Sequence, residues 1–208
     1  MIKLYTALQI AAVIIFAYLM GSISTAIIVG KLKSNIDIRE HGSGNAGATN
    51  TLRTQGKLAG MFVLLGDVLK TAIIMTIVII FFPQNPEYVY IAGVGAVLGH
   101  NFPIYFKFKG GKGVLVSIVS IIFASPLIGL CTLAIGVLVI VITRFVSLGS
   151  IVGAISAVIL GFIFAPDNDK MIVFFVIIAI LSLKMHSANI VRLFKGEENK
   201  IGKKDSQK

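Results

Sequence analysis

The sequence predicts an all-α polytopic membrane protein, a bundle of seven transmembrane helices with the N-terminus outside and the C-terminus inside. Three observations predict this fold class: the composition, the spacing of the apolar segments, and the distribution of charge between them. Hydrophobic residues make up 56% of the 208 residues and charged residues only 13%, and the mean hydropathy is +0.94. These values lie far from those of a soluble globular domain.

Six apolar segments predict the helices. A spanning helix needs about 20 residues, a length that the first, second and fifth segments reach, whereas the third and sixth are short. The fourth segment is too long for one span and contains Pro126 near its middle, where proline interrupts a helix. We therefore predict two short helices joined near Pro126. The six segments are 4–30, 58–82, 88–104, 114–142, 146–165 and 171–185.

Charge between the segments predicts the orientation. Positive charge collects in the loops 31–57 and 105–113 and in the tail after residue 184, whereas the connections 83–87 and 166–170 are mainly acidic. The positive-inside rule then places the basic loops in the cytoplasm and the N-terminus outside. The same loops account for the net charge of +10, so we expect the lipid bilayer and no nucleic acid as partner.

The orientation also decides how often the fourth segment crosses the membrane. A single crossing by residues 114–142 would put Arg144 and the basic tail outside, against the positive-inside rule. A hairpin of two helices keeps every basic loop on one side and brings the count to seven. We expect one integral-membrane domain over residues 1–202, with an uncleaved first span, and a basic cytoplasmic tail over residues 203–208.

Residues 42–50 form a run of nine small or amide residues in this apolar chain. Such a run offers closely spaced backbone N–H groups, the hydroxyl of Ser43, and glycines that let a ligand approach the main chain. Arg53 follows ten residues after Ser43, and a guanidinium is a common fork for phosphate or carboxylate. The run predicts an anion-binding loop, although Arg53 alone is equally compatible with a simple positive-inside arginine.

Residues 107–113 form a second polar loop, in which three glycines surround Lys112 just before a helix begins. Free N–H groups and the positive end of a helix beside an ammonium favour a phosphate. The glycine spacing is not that of a nucleotide-binding P-loop, and Val114 stands where a Ser or Thr would hold magnesium, so nucleotide hydrolysis is not supported. The alternative is a basic turn that contacts lipid headgroups.

The third polar group follows the last apolar segment and contains His186, Asn189 and Arg192. At a spacing of three residues these side chains share one face of a helix. A histidine beside an amide acts as an acid, a base or an oxyanion donor. The alternative is a helix end that faces headgroups, but the predicted orientation brings this group to the same side as the two loops.

Asp67 and Lys70 lie three residues apart inside the second predicted span. A charge there costs about 2.5–3.5 kcal/mol or more, so each requires a partner. Pairing with each other on one helix face is one explanation, and contact with a ligand, Arg53 or Lys112 is the other.

Taken together, the three polar groups resemble the PlsY family of bacterial membrane glycerol-3-phosphate acyltransferases. The similarity covers the chain to about residue 202. The third group departs from the family pattern, because Met185 replaces a basic residue before His186 and Ser187-Ala188 replace an Arg-Glu pair. The matching residues are 42–50 with Arg53, Asp67 and Lys70, 99–114, 146–148, and His186, Asn189, Ile190, Arg192, Leu193 and Gly196.

The resemblance implies acyl transfer from acyl phosphate to the 1-hydroxyl of glycerol 3-phosphate, which yields lysophosphatidic acid and phosphate in phospholipid biosynthesis. It implies a multi-pass protein of the bacterial cell membrane with a cytoplasmic active site, a functional link to the enzyme that makes acyl phosphate, and no cofactor. The implied catalytic residues are Ser43, Arg53, Lys112, His186 and Asn189. The implied substrate- and phosphate-binding residues are Gly42, Gly44, Asn45, Thr49, Asn50, Gly110, Gly111, Gly113 and Arg192, with Asp67, Lys70, His100 and Glu197 in support.

The residues present agree with that chemistry. An acyl phosphate is already activated, so no covalent enzyme intermediate is required, and the proton of the attacking hydroxyl goes either to His186 or to a substrate phosphate oxygen. None of the three histidines has an aspartate five residues on, which excludes the His-x4-Asp type of acyltransferase. No metal site is expected, and the lone Cys131 excludes an internal disulfide.

Two rival functions remain open at this point. A phospho-alcohol transferase requires an acidic metal-binding cluster, which the predicted cytoplasmic loops lack. An anion transporter is suggested by the break at Pro126 and by the intramembrane Asp67 and Lys70, but no inverted repeat is visible in the sequence.

Overall fold

The computed structural model describes residues 2–201, and every regular element in that range is helical. Short 3₁₀ turns at Ile38–Glu40 and Ile104–Phe106 precede the two polar loops. The α-helices are α1 Ile2–Gly21, α2 Thr25–Ser34, α3 Ala48–Gln55, α4 Lys57–Phe81, α5 Tyr88–Asn101, α6 Val114–Ala124, α7 Pro126–Thr143, α8 Val146–Phe164, α9 Asp169–Met185 and α10 Ser187–Lys195.

The prediction of an all-α membrane protein is confirmed. Five stretches among the described residues are long and apolar enough to cross a bilayer, and the bent pair α9–α10 makes a sixth. The shorter α6 is apolar as well. The five stretches are Leu4–Ser34, Lys57–Phe81, Tyr88–Phe106, Pro126–Thr143 and Val146–Phe164.

The predicted break near Pro126 is present. α6 ends at Ala124, Ser125 is extended with φ −155°, and Pro126 occupies the first turn of α7. Proline is tolerated there because the first N–H groups of a helix have no intrahelical partner. The two helices contain 11 and 18 residues, so only the first is short.

The first apolar segment is also interrupted, which the sequence analysis did not predict. Helix geometry stops between Gly21 and Thr25, where the Ser22 hydroxyl donates to Tyr18 O at 2.8 Å. Gly21 lies directly against α5, since a Cβ on it would lie 2.5 Å from Ala96 O. A serine that bonds back to the main chain often bends a helix. The break leaves carbonyl groups available within the first span.

The described helices fall into two compact units, with the boundary between Ala124 and Ser125. In the first unit, α1 packs on α5, while α4 packs on α3 and α6. In the second unit, α8 packs between α7 and α9. Small residues permit that packing: a Cβ on Gly149 would lie 2.5 Å from Gly136 O in α7, and one on Gly161 would lie 2.9 Å from the Phe175 ring in α9.

Candidate active site

The first polar loop, residues 42–50, is organised by a buried asparagine. Asn50 is 1% exposed, and its Oδ1 accepts the backbone N–H of Ser43 at 2.8 Å. Its Nδ2 donates to Ile38 O at 3.1 Å and to His41 O at 2.9 Å. Every polar atom of the Asn50 amide group is therefore used to hold the loop. Asn50, which the resemblance implies as a substrate-binding residue, serves here as a structural anchor.

The glycine at the start of this loop is required by its geometry. Gly42 has a φ of +61°, and a Cβ there would collide with Asn50 Oδ1 and lie 2.8 Å from Thr54 Cγ2. Gly44 also has a positive φ, +72°. With this backbone Ser43 is exposed, and so are Thr49 and Arg53 on the helix that follows. The loop thus presents a hydroxyl, a guanidinium and small residues to its surroundings.

The second polar loop, residues 107–113, lies against the C-terminal end of α5. The N–H of Gly110 donates to Asn101 O at 3.2 Å, and that of Gly111 donates to His100 O at 3.1 Å. A Cβ on Gly110 would collide with His100 O, and one on Gly111 would collide with His100 Nε2. These contacts leave no room for a side chain. Lys112, between two buried glycines, is half-buried.

The two polar loops touch each other. A Cβ on Gly111 would lie 2.7 Å from Ala46 O, so the backbones of the two loops come into close contact at this point. Arg39, just before the first loop, also reaches the second: its Nη1 donates to Phe106 O at 2.7 Å and to Lys109 O at 3.0 Å. The structure thereby brings together the first two groups of predicted site residues.

Arg39 is held in turn by Asp37. Nη2 of Arg39 lies 2.6 Å from Asp37 Oδ2, and Nε donates to Oδ1 at 2.9 Å. The bonded Arg39 guanidinium lowers the pKa of the Asp37 carboxyl to about 2, and Asp37 in turn raises the pKa of Arg39. In the sequence, Arg39 is one of several loop cations, and its position two residues after Asp37 is the signal that could have indicated this pair.

Asp67 and Lys70 pair with each other, as one of the two explanations expected. Lys70 Nζ lies 2.9 Å from Asp67 Oδ1 and donates to Ile23 O at 2.8 Å, in the break between α1 and α2. It also lies 3.1 Å from His100 Nδ1, so this nitrogen accepts and the ring proton lies on Nε2. Because His100 O accepts the N–H of Gly111, the buried cluster of Asp67, Lys70 and His100 stabilises the second loop.

His186 lies at the junction between α9 and α10, and the chain bends by 60° between these two helices. His186 is the N-cap of α10, and Asn189 and Arg192 lie on that helix; that the three side chains share one face stays a prediction. His186 is 2% exposed, and its Nδ1 lies 2.8 Å from Ser182 O. A carbonyl at this distance requires Nδ1 to be the donor, so in the neutral ring Nε2 carries the lone pair.

Glu198 is the centre of the third group. Its Oε1 accepts from Asn189 Nδ2 at 2.7 Å and from Ser147 Oγ at 2.8 Å, and its Oε2 accepts from Arg192 Nε at 2.8 Å. Burial raises the pKa of the Glu198 carboxyl, but these hydrogen bonds and the Arg192 charge outweigh burial and leave the pKa below its usual range. The carboxylate therefore positions two predicted site residues.

The resemblance implied Glu197 as a supporting residue. In the structure, the contacts with Asn189, Ser147 and Arg192 are made by Glu198 instead. Glu197 is exposed, and its backbone N–H donates to Arg192 O at 2.8 Å, whereas the Glu198 side chain is 7% exposed. Two adjacent glutamates give no sequence signal that separates them. Ser147 belongs to the matching residues 146–148, and this match is the sequence feature that pointed to the cluster.

Buried Asn101 is a further residue that sequence reasoning did not single out. It is 1% exposed, and neither polar atom of its side chain has a hydrogen-bond partner in the part of the chain that the structure describes. A Cβ on Gly113 would lie 2.6 Å from its Oδ1, so its amide abuts the second loop just before α6 begins.

The predicted site residues are divided between the two units. Those of the two polar loops, together with Asp67, Lys70 and His100, belong to the first unit, and His186, Asn189 and Arg192 belong to the second. Within residues 2–201, no group of three or more His, Cys, Asp or Glu side chains is arranged to hold a metal ion.

Known proteins match this chain over nearly its whole length. A family model described as glycerol-3-phosphate acyltransferase matches residues 11–196. The glycerol-3-phosphate acyltransferase of Thermoanaerobacter sp. (strain X514) is 46% identical over 190 residues, which cover 91% of this chain and 94% of the relative. That of Bacillus subtilis (strain 168) is 44% identical over 192 residues, which cover 92% and 97%.

Solved structures match as well. The crystal structure of PlsY, an integral membrane glycerol 3-phosphate acyltransferase, in its glycerol 3-phosphate form has a TM-score of 0.86 at 36% identity, covering 93% of this chain and 96% of that one. Its lysophosphatidic acid form has a TM-score of 0.84 at 35% identity, with the same coverage. From its sequence, its fold and its matched residues, this chain belongs to the glycerol-3-phosphate acyltransferase family of integral membrane acyltransferases typified by PlsY.

Proposed function

We propose that this acyltransferase transfers a fatty acyl group from acyl phosphate to the 1-hydroxyl of glycerol 3-phosphate. The products are lysophosphatidic acid and inorganic phosphate. The observation that carries the proposal is the contact between the two polar loops at Gly111 and Ala46, because two substrates that each bear a phosphate need two adjacent anion-binding loops. Similarity to the glycerol 3-phosphate and lysophosphatidic acid forms of PlsY supports the same substrate and product.

Backbone groups and cations of the first unit bind and neutralise phosphate in this proposal. Gly110, Gly111 and Gly113 let the loop pack closely against the end of α5, and α6 begins directly after them, so its positive end favours an anion. Lys112 and Arg53 supply charge, and Ser43 supplies a hydroxyl. Preorganised donors of this kind stabilise the charge that collects on a leaving phosphate, and they orient both substrates.

The reaction itself requires one bond to form and one to break. The glycerol 1-hydroxyl oxygen attacks the carbonyl carbon of the acyl phosphate, and the bond from that carbon to the phosphate oxygen breaks as phosphate leaves. The hydroxyl proton passes to a base. His186 Nε2 has the lone pair for this role, since Nδ1 is bonded to Ser182 O, and a phosphate oxygen of a substrate is the other candidate.

Asn189 and Arg192 contribute from the second unit. Each is positioned by the Glu198 carboxylate, which uses its two oxygens on them and on Ser147. We infer that both side chains act on substrate from these positions. The missing Arg-Glu pair, replaced by exposed Ser187 and Ala188, then plays no part in this cluster.

We further propose seven spans, with the N-terminus outside and the loops on the cytoplasmic side. The five apolar stretches, the bent pair α9–α10 and the shorter α6 add up to this number, and the positive-inside rule supports the orientation. Residues 1–202 are proposed as one catalytic domain; the tail over residues 203–208 lies outside the described residues. Single cysteines placed at position 45 and at position 168 should be labelled from the cytoplasmic and the outer side, respectively.

One experiment tests the reaction. Purified protein is mixed with acyl phosphate and labelled glycerol 3-phosphate, without acyl-CoA or added metal. Labelled lysophosphatidic acid and inorganic phosphate should form in equal amounts. Product that requires acyl-CoA would contradict the proposed donor, and uptake into proteoliposomes without product would favour the transporter.

A further inference from the structure

The turn that leads into the second polar loop has an unfavourable backbone. Lys107 and Phe108 both have a φ of +58°, in the left-handed region that side chains other than glycine rarely adopt. Two consecutive residues of this kind cost free energy unless neighbouring contacts hold them. The turn ends at Lys109, directly before Gly110, so its shape determines where the glycines lie.

Arg39 supplies those contacts. A single nitrogen, Nη1, donates to Phe106 O at 2.7 Å and to Lys109 O at 3.0 Å. These two carbonyl groups are the ones that flank the left-handed residues, so the guanidinium joins the two ends of the turn. Hydrogen bonds from a charged donor are about twice as strong as neutral ones.

The orientation of Arg39 is itself determined by Asp37. Nε and Nη2 both donate to the Asp37 carboxylate, and the Asp37 carboxylate also accepts the backbone N–H of Arg39 at 3.0 Å. The side chains are only 22% and 23% exposed. With Nε, Nη1 and Nη2 all engaged, the guanidinium serves the protein rather than a ligand.

We propose that Arg39 is a positioning residue for the phosphate-binding loop, acting by holding the strained turn at Lys107 and Phe108 in the shape that presents the loop to a phosphate group. The inference rests on the proposed function only in assuming that residues 107–113 bind the phosphate of a substrate. Arg39 itself contacts no reacting atom.

The test compares Arg39→Ala and Arg39→Lys with wild type, with Lys31→Ala as the matched control. Lys31 is an exposed cation at the end of α2, so its loss removes the same charge and leaves the Arg39 bonds intact. KM is measured separately for glycerol 3-phosphate and acyl phosphate, together with kcat and the inhibition constant of inorganic phosphate.

In Arg39→Ala, the KM of the substrate whose phosphate lies in the loop should rise about tenfold, with kcat within about threefold of wild type. The inhibition constant of inorganic phosphate should rise in parallel. Arg39→Lys should give an intermediate KM, because an ammonium lacks the planar fork that serves Asp37 and both carbonyls. Lys31→Ala should keep both KM values.

A glycine suppressor separates positioning from general stability. Glycine adopts a positive φ without the penalty, so Phe108→Gly should bring the raised KM of Arg39→Ala at least halfway back on a logarithmic scale. A fall in kcat at unchanged KM in both arginine variants, or no recovery with Phe108→Gly, would overturn the inference. Wild-type protein without acyl transfer would instead overturn the proposed function.

Discussion

The two units of the molecule arrange their site residues in opposite ways. In the first unit, the second polar loop is held by backbone: glycine N–H groups bond to carbonyls of α5, and the close contacts leave no space for a Cβ. In the second unit, Asn189 and Arg192 converge on a single side chain, the Glu198 carboxylate. A backbone-built region tolerates no added volume, whereas a region built around one charge depends on that charge. The two regions should therefore fail under different substitutions.

The largest effect is expected for the residues that we propose act on substrate. Ser43→Ala, Arg53→Ala and His186→Ala should each lower kcat/KM by about a thousandfold or more, because each removes a donor, a charge or a base. Steady-state kinetics with purified protein measure this, with the melting temperature as the test of folding. Exposed Lys195 provides the control, since Lys195→Ala should stay near wild type. Near-normal rates in any one variant would remove that residue from the site.

Gly111→Ala should lower activity about a hundredfold. Its methyl group would collide with His100 Nε2 and lie 2.7 Å from Ala46 O, so the two loops would have to separate. Gly153→Ala is the matched control, because its Cβ would lie 3.6 Å from the nearest atom, an ordinary contact. Equal activity of the two variants would show that the first unit does not depend on close backbone contact.

Glu198→Gln should lower activity about tenfold to a hundredfold, since the amide replaces the charge that orients Arg192 and presents one donor where an acceptor is needed. Glu197→Gln changes the adjacent, exposed residue and should leave activity within about twofold. The pair is compared by kcat/KM and melting temperature. A larger loss in Glu197→Gln than in Glu198→Gln would contradict the assignment of Glu198 as the centre of the third group.

The smallest effect concerns acid stability in the first unit. The pKa of Asp37 is lowered from 3.8 to about 2, so its carboxylate stabilises the folded state at pH values above 3.8 and loses this contribution as pH falls to about 2. Asp37→Asn should therefore reduce the melting temperature at pH 7 and match wild type near pH 2. A difference that persists unchanged near pH 2 would contradict an origin in the Asp37 charge.

Local rules predicted the elements that depend on local chemistry. The break at Pro126 follows from the proline ring alone, and the polar loops follow from their composition. The break between Gly21 and Thr25 was not predicted, because it depends on the close approach of Ala96 and on Lys70, whose ammonium bonds to Ile23 O. Similarly, the spacing of three residues did not predict the 60° bend between α9 and α10 at His186.

By itself, the sequence determined the membrane class, most helix positions, the three polar groups and the family, because hydropathy, glycine content and motif spacing are carried by neighbouring residues. Only the tertiary structure decided between Glu197 and Glu198, gave Asn50 its anchoring role, and showed that Arg39 bridges Phe106 and Lys109. These assignments depend on contacts between residues up to 70 positions apart. Packing decides which donor bonds to which carbonyl over such a separation. The order of neighbouring residues in the sequence does not indicate how distant residues pack.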